Sequence, residues 1–305
     1  MSASVEAHQG QAAPTSDASV PPRRAAQQRR TRRFTRRKLG GLGATVLTWV
    51  VVFLFFFPVL WMIFTSFKTE AAAAQFPPSF VTQLSFDRYA AVFERGMGLY
   101  LANSAALSIL STAAVMALAI PAAYALSVRR VGRWQDLLFF FISTKFMPVA
   151  ASIIPVFLLL RVIGALDNLW ALGVLYIGMN LPLAIWMMRS FFAEVPYAVV
   201  EAAQIDGASY GRELWRVSLP IVAPGAAAAA LICFIFAWNE YFLVNLLTAV
   251  VARTTPPFLG SFVDGRGQFL AVLSAASTIA VLPVIIAGWV AQKRLVRGLA
   301  MGAVK

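Results

Sequence analysis

Apolar runs of more than twenty residues, broken by short charged segments, set the rhythm of this chain. Residues 39–67, 96–128, 168–188, 217–239 and 267–292 hold no charged side chain, and 137–160 hold only Lys145. Each run reaches the length of about 20 residues that a helix needs to cross the hydrocarbon of a bilayer. Lone strands at that depth would leave backbone groups unpaired, so the runs read as helices. The pattern predicts an all-α, polytopic membrane protein with six transmembrane helices, at about 44–66, 99–127, 137–161, 169–190, 221–245 and 268–291. Residues 1–43 read as a disordered basic tail, and 44–305 as one transmembrane domain.

One polar connection interrupts the rhythm. The loop at about 191–220 contains EAAQIDGASYGRELWRVSLP, from Glu201 to Pro220. From Val195 its pattern is helical, with Tyr197, Val200, Ala203 and Gln204 on one side and Glu201 on another. Asp206-Gly207 ends that helix, because glycine supplies a positive φ without strain. Ser209 is placed to N-cap a second short helix ending at Leu219-Pro220, although the next acid, Glu213, lies one residue too far for a capping box. The prediction is helix, glycine turn, helix, lying across a membrane surface.

Charge then orients the chain. The net charge of +13 would suit a nucleic-acid binder, but nineteen of the 26 Lys and Arg fall on one side if the amino terminus is cytoplasmic. That asymmetry is the positive-inside bias, so both termini and the 191–220 loop are expected in the cytoplasm and no nucleic-acid partner is expected. Only 13% of residues are charged, against about 25% in soluble domains. The single cysteine, Cys233, excludes an internal disulfide, and the single histidine, His8, sits in the tail. No Gly-Lys pair exists, so a Walker A phosphate loop is excluded. The membrane spans offer no histidine and no paired aspartates, so no enzyme is expected, and no cofactor bound by the chain is expected.

The loop carries a family resemblance. Glu201-Ala202-Ala203, Gly207 after three residues, then Val217, Leu219 and Pro220 resemble the EAA loop of ATP-binding cassette importer permeases, with Val217 where the family pattern has Ile. FIFAWNEYF at 234–242 and the carboxyl-terminal QKRLVRGLAMGAVK are similar to segments of the carbohydrate-uptake permeases. STKFMP at 143–148 and the segment 274–299 read most like permeases for polyols such as sorbitol or mannitol. The resemblance implies a maltose-permease-like subunit of a bacterial plasma membrane importer. It implies a second permease in a heterodimer, a pair of ATPase subunits that hydrolyse ATP, and an extracytoplasmic solute-binding protein. It further implies that Glu201, Ala202, Ala203, Gly207, Val217, Leu219 and Pro220 couple the ATPase to the spans, and that the carboxyl tail reaches towards it.

Ionisable groups within a bilayer need a reason, since each costs about 2.5–3.5 kcal/mol on insertion scales. Two lie within predicted spans, Lys145 and Glu240. Together with Trp238, Asn239 and Asn180 they offer amide, carboxylate, ammonium and indole groups to a hydroxyl-rich solute, so these five are the candidate substrate path. The same groups also serve to hydrogen-bond helices together. A rival class, an ion-coupled secondary transporter, would use Lys145 and Glu240 as coupling charges and would leave the EAA spacing unexplained.

Overall fold

The computed structural model describes the backbone of residues 23–80, 83–129, 131–147, 149–263 and 269–302. The expected disorder of residues 1–22, Pro148, the 264–268 part of the last loop and the final residues 303–305 lie outside the described residues. Among the described residues every regular element is helical. Five helices are long and apolar enough to cross a bilayer, and one bent pair would make a sixth.

The chain divides into two compact units, residues 1–59 and 60–305. The first contains most of helix α1, Arg23–Thr65. That helix starts inside the segment expected to be disordered, because Arg, Gln and Ala are good helix formers. Its side chains from Val46 to Phe57 are exposed and apolar all round, as suits a helix in lipid.

The second unit is built on α4 (Met97–Ser127), α7 (Leu169–Phe192), α10 (Leu219–Trp238) and α13 (Leu270–Gly302), with the short helices α3 (Asp87–Glu94) and α12 (Thr255–Gly260) against α4 and α13. α4 packs along α7, and α10 touches α4, α7 and α13. Small residues permit this approach where lipid supplies no hydrophobic drive between helices. Ala119, Ala123, Ala184, Ala229 and Cys233 are buried at these contacts, and a Cβ on Gly225 would collide with the Phe191 ring.

Two predicted spans are not continuous. The third is α5 (Trp134–Ser143), a 3-10 turn Thr144–Phe146, and α6 (Val149–Val162), bent by 89°. Met147 is extended at φ −69°, ψ 122°, because the residue before a proline is driven out of the helical region. The fifth span stops at Trp238 and resumes as α11, Phe242–Leu247. Asn239 turns its amide back onto the Ile235 carbonyl at 2.8 Å, while the Glu240 carboxylate accepts the Leu243 N–H at 2.7 Å and starts the new helix. By contrast, the prolines at 121, 182, 224 and 283 are carried inside unbroken helices.

Where α7 begins, the loops are fastened to backbone. Asp167, at φ 53°, accepts the N–H groups of Ala249, Val250, Val251 and Ala252 at 2.9–3.1 Å. Burial raises its pKa, but these four amides outweigh that and hold the carboxyl below the usual range. Glu70, in the short helix α2 (Glu70–Ala73), accepts Ala271 and Val272 N–H at 2.9 Å and so caps α13. Asn103 donates to the Val251 and Arg253 carbonyls, and Ser104 accepts the Thr255 N–H at 2.8 Å. Lys68, 1% exposed, donates to the Ser79 carbonyl and lies over the rings of Trp61 and Phe64.

Candidate coupling loop and solute cavity

At the far end of α7 the polar loop folds as helix, turn, helix. α8 spans Tyr197–Ile205, and Gly207 follows at φ +72°, a value that side-chain-bearing residues adopt only under strain. The Ala208 N–H bonds the Ala203 carbonyl at 2.9 Å and the Gly207 N–H bonds Gln204 at 3.0 Å, a Schellman closure that fixes the turn. α9, Tyr210–Arg212, leads through a π-helical turn, Glu213–Ser218, into α10. Ser209 stands at the N-cap position in an extended conformation, but its side chain makes no capping bond. The turn is closed instead by the Glu213 N–H on the Ser209 carbonyl.

Within α8 the chain sorts its faces as small against bundle and charged against solvent. Val200 and Ala203 are buried, while Glu201 and Ala202 are exposed. Tyr197 and Gln204, which share a side with Val200 and Ala203 in the sequence pattern, are exposed and line a cavity of about 450 Å3 with Val128 and Arg129. Ile205, Tyr210 and Trp215 are 80%, 72% and 53% exposed, so the knob presents apolar area as well as the Glu201 carboxylate. Val217 and Leu219 are half-buried, and Pro220 sits in the first turn of α10, directly after the π turn.

Glu213 carries no role that its local sequence marks. It is fully buried, accepts the Tyr124 hydroxyl hydrogen bond, and pairs with the Arg129 guanidinium. The only hint in the sequence was negative: an acid close behind Ser209 that could not complete a capping box.

Four of the five candidate substrate-path residues meet at one cavity. Lys145, Asn180, Asn239 and Glu240 line one cavity of about 340 Å3, with Tyr176 and Phe236 completing its wall. The break in the fifth span turns Asn239 and Glu240 into this space, and the bend in the third brings Lys145 to it. The Tyr176 hydroxyl is buried with no hydrogen-bond partner, and Lys145 has no ion pair among the described residues. Hydrogen-bonding capacity is therefore left open at the wall. Trp238 departs from the expectation. It is 4% exposed, its indole N–H donates to the Ala280 carbonyl at 3.2 Å, and its ring stacks on Phe234, so it fastens α10 to α13 and does not line the cavity. Tyr176 and Phe236 were missed because aromatic residues in apolar runs look like packing until the cavity is seen.

Residues 116–300 match the family model of the binding-protein-dependent transport system inner membrane component. The chain belongs to that family. Membership makes it an inner-membrane transport subunit of binding-protein-dependent systems, in keeping with its apolar helices. Within the family it is 35% identical over 276 residues to "Probable ABC transporter permease protein y4oR" of Sinorhizobium fredii, covering 90% of this chain and 98% of that one. It is 33% identical to the trehalose transport system permease protein SugB of Mycobacterium tuberculosis, covering 85% and 96%. Among solved structures it is similar to a chain of a bacterial ABC transporter involved in import of the acidic polysaccharide alginate. That match has a TM-score of 0.68, 25% identity, and coverage of 84% of this chain and 96% of that one.

Proposed function

We propose that this chain is a permease subunit of an ATP-driven carbohydrate importer, driven through the α8–Gly207–α9 knob by a separate pair of ATPase subunits. The observation that carries this reading is the knob itself: Glu201 and Ala202 exposed on a short helix whose exit angle is fixed by Gly207. An exposed carboxylate on a knob that also exposes apolar side chains suits a docking partner that supplies cationic or amide groups. In this reading the chain crosses the plasma membrane six times, with both termini and the knob in the cytoplasm. It pairs with a second permease, receives solute from an extracytoplasmic binding protein, and hydrolyses no nucleotide itself.

For the solute we propose a small polyol such as sorbitol or mannitol. The cavity of about 340 Å3 falls at the low end of the range of about 300–1,000 Å3 for ligand pockets. Its amide, carboxylate, ammonium and phenol groups suit hydroxyls. A disaccharide is the second reading, supported by the similarity to a trehalose permease. Uptake of labelled sorbitol, mannitol and trehalose by cells with and without the chain separates these solutes. Replacing Gly207 by valine and Glu201 by lysine should abolish uptake with the chain still in the membrane. Normal uptake in both variants would refute the coupling role of the knob.

A further inference from the structure

Glu213 is the only fully buried acid among the described residues, and both its oxygens are committed to the end of a different helix. Tyr124, in the last turn of α4, donates to one oxygen, and Arg129, two residues beyond α4, pairs with the other. The Arg129 guanidinium also lies over the Tyr210 ring at 4.1 Å. Arg129 is therefore held from two sides by the loop, by Tyr210 at its tip and Glu213 at its root. The π turn is what brings Glu213 there. Its wider winding directs Glu213, Leu214 and Ser218 inward and leaves Trp215 and Arg216 exposed.

A buried ion pair is a poor way to gain stability, since desolvation of both groups offsets most of the attraction. An apolar pair of similar volume would stabilise the fold at least as well. What the ion pair adds is direction and register, because a guanidinium and a carboxylate meet in few geometries. Beside it, the cavity lined by Val128, Tyr197 and Gln204 leaves space between α8 and the end of α4.

We propose that Glu213 and Arg129 are positioning residues that make the end of the second span move with the coupling loop. The inference rests on the permease reading above and goes further: it names the contact by which a stroke received at α8 reaches α4.

The test uses the complete transporter, purified with its ATPase and carrying a reporter cysteine, Val128→Cys. The native Cys233 is fully buried and stays silent to a hydrophilic maleimide. Labelling at Val128→Cys should change about tenfold between nucleotide-free and ATP-trapped states, the scale of ordinary coupling energies. That change should vanish in Glu213→Gln and in the apolar pair Glu213→Leu with Arg129→Met. It should return in the reversed pair Glu213→Arg with Arg129→Glu. The melting temperature of each complex shows whether it is folded, and the apolar pair keeps the test decisive if the reversed pair is not. Nucleotide-dependent labelling in the apolar pair, or none in the parent protein, overturns the proposal. Absence of any ATPase bound to the parent protein sinks the permease reading instead.

Discussion

Where α7 begins, carboxylates grip backbone amides; where α7 finishes, a carboxylate grips the side chains of another helix. Asp167 binds four N–H groups of one strand of loop, and Glu70 binds two at the start of α13. Glu213 binds no amide with its side chain, only a tyrosine hydroxyl and a guanidinium. The difference is one of freedom. An amide donor is fixed by its peptide plane, so four of them on one carboxylate allow a single geometry. A guanidinium rides on a flexible stem, so its pair persists while the helices carrying it shift. The first end is made to stay in place and the second to stay connected.

The largest expected effect breaks the rigid end. Asp167→Ala strands four amides at once, and hydrogen bonds to a charged group are worth about 1.5–3 kcal/mol each before non-additivity. Stability should fall by about 3 kcal/mol, read as a drop of about 5–10 °C in melting temperature. Asp167→Asn separates charge from geometry. The native pKa is depressed, so the stabilisation by the charge is fully present above the unfolded value of about 3.9 and is lost as pH falls through the lower folded value. The gap in melting temperature between wild type and Asp167→Asn should therefore be constant from pH 7 to 5 and narrow below pH 4. A gap independent of pH to the acid limit would show that the carboxylate acts by shape alone. Glu70→Ala comes next, with about 1–2 kcal/mol for loss of a charged cap on α13. An unchanged melting temperature would show that those two amides are satisfied by water.

The knob was legible in the sequence because its cues are local. Gly207 fixes a turn wherever it stands, and Glu201 is polar among small residues on a short helix. The number and position of the apolar runs were legible for the same reason, since each run reports on itself. What the pattern did not carry was the interior of the third and fifth spans. Hydropathy is blind to a bend at Met147 or a break at Asn239, because both lie in chain that remains apolar on either side. Those interruptions make the cavity, so Lys145, Asn180, Asn239 and Glu240 could be listed but not assembled. Trp238 was misassigned by adjacency, as it precedes Asn239 in sequence but faces α13. Glu213 and Asp167 were invisible as anchors because their partners lie 84 and more than 80 residues away, and no local spacing encodes such a contact.

The smallest stability effect sharpens the comparison most. Glu201 is exposed and has no side-chain hydrogen bond or ion pair among the described residues, so Glu201→Ala should change the melting temperature of the chain by no more than exposed substitutions do, about 0.5 kcal/mol. Its effect should appear only with the ATPase present, as reduced co-purification of the complex and loss of uptake. Asp167→Ala should do the opposite, lowering the melting temperature while the surviving folded fraction still retains the ATPase. The pair of variants thus separates holding from coupling. A large fall in stability for Glu201→Ala in the isolated chain would mean that the knob is braced through this carboxylate, and the division between a fixed end and a driven end would no longer hold.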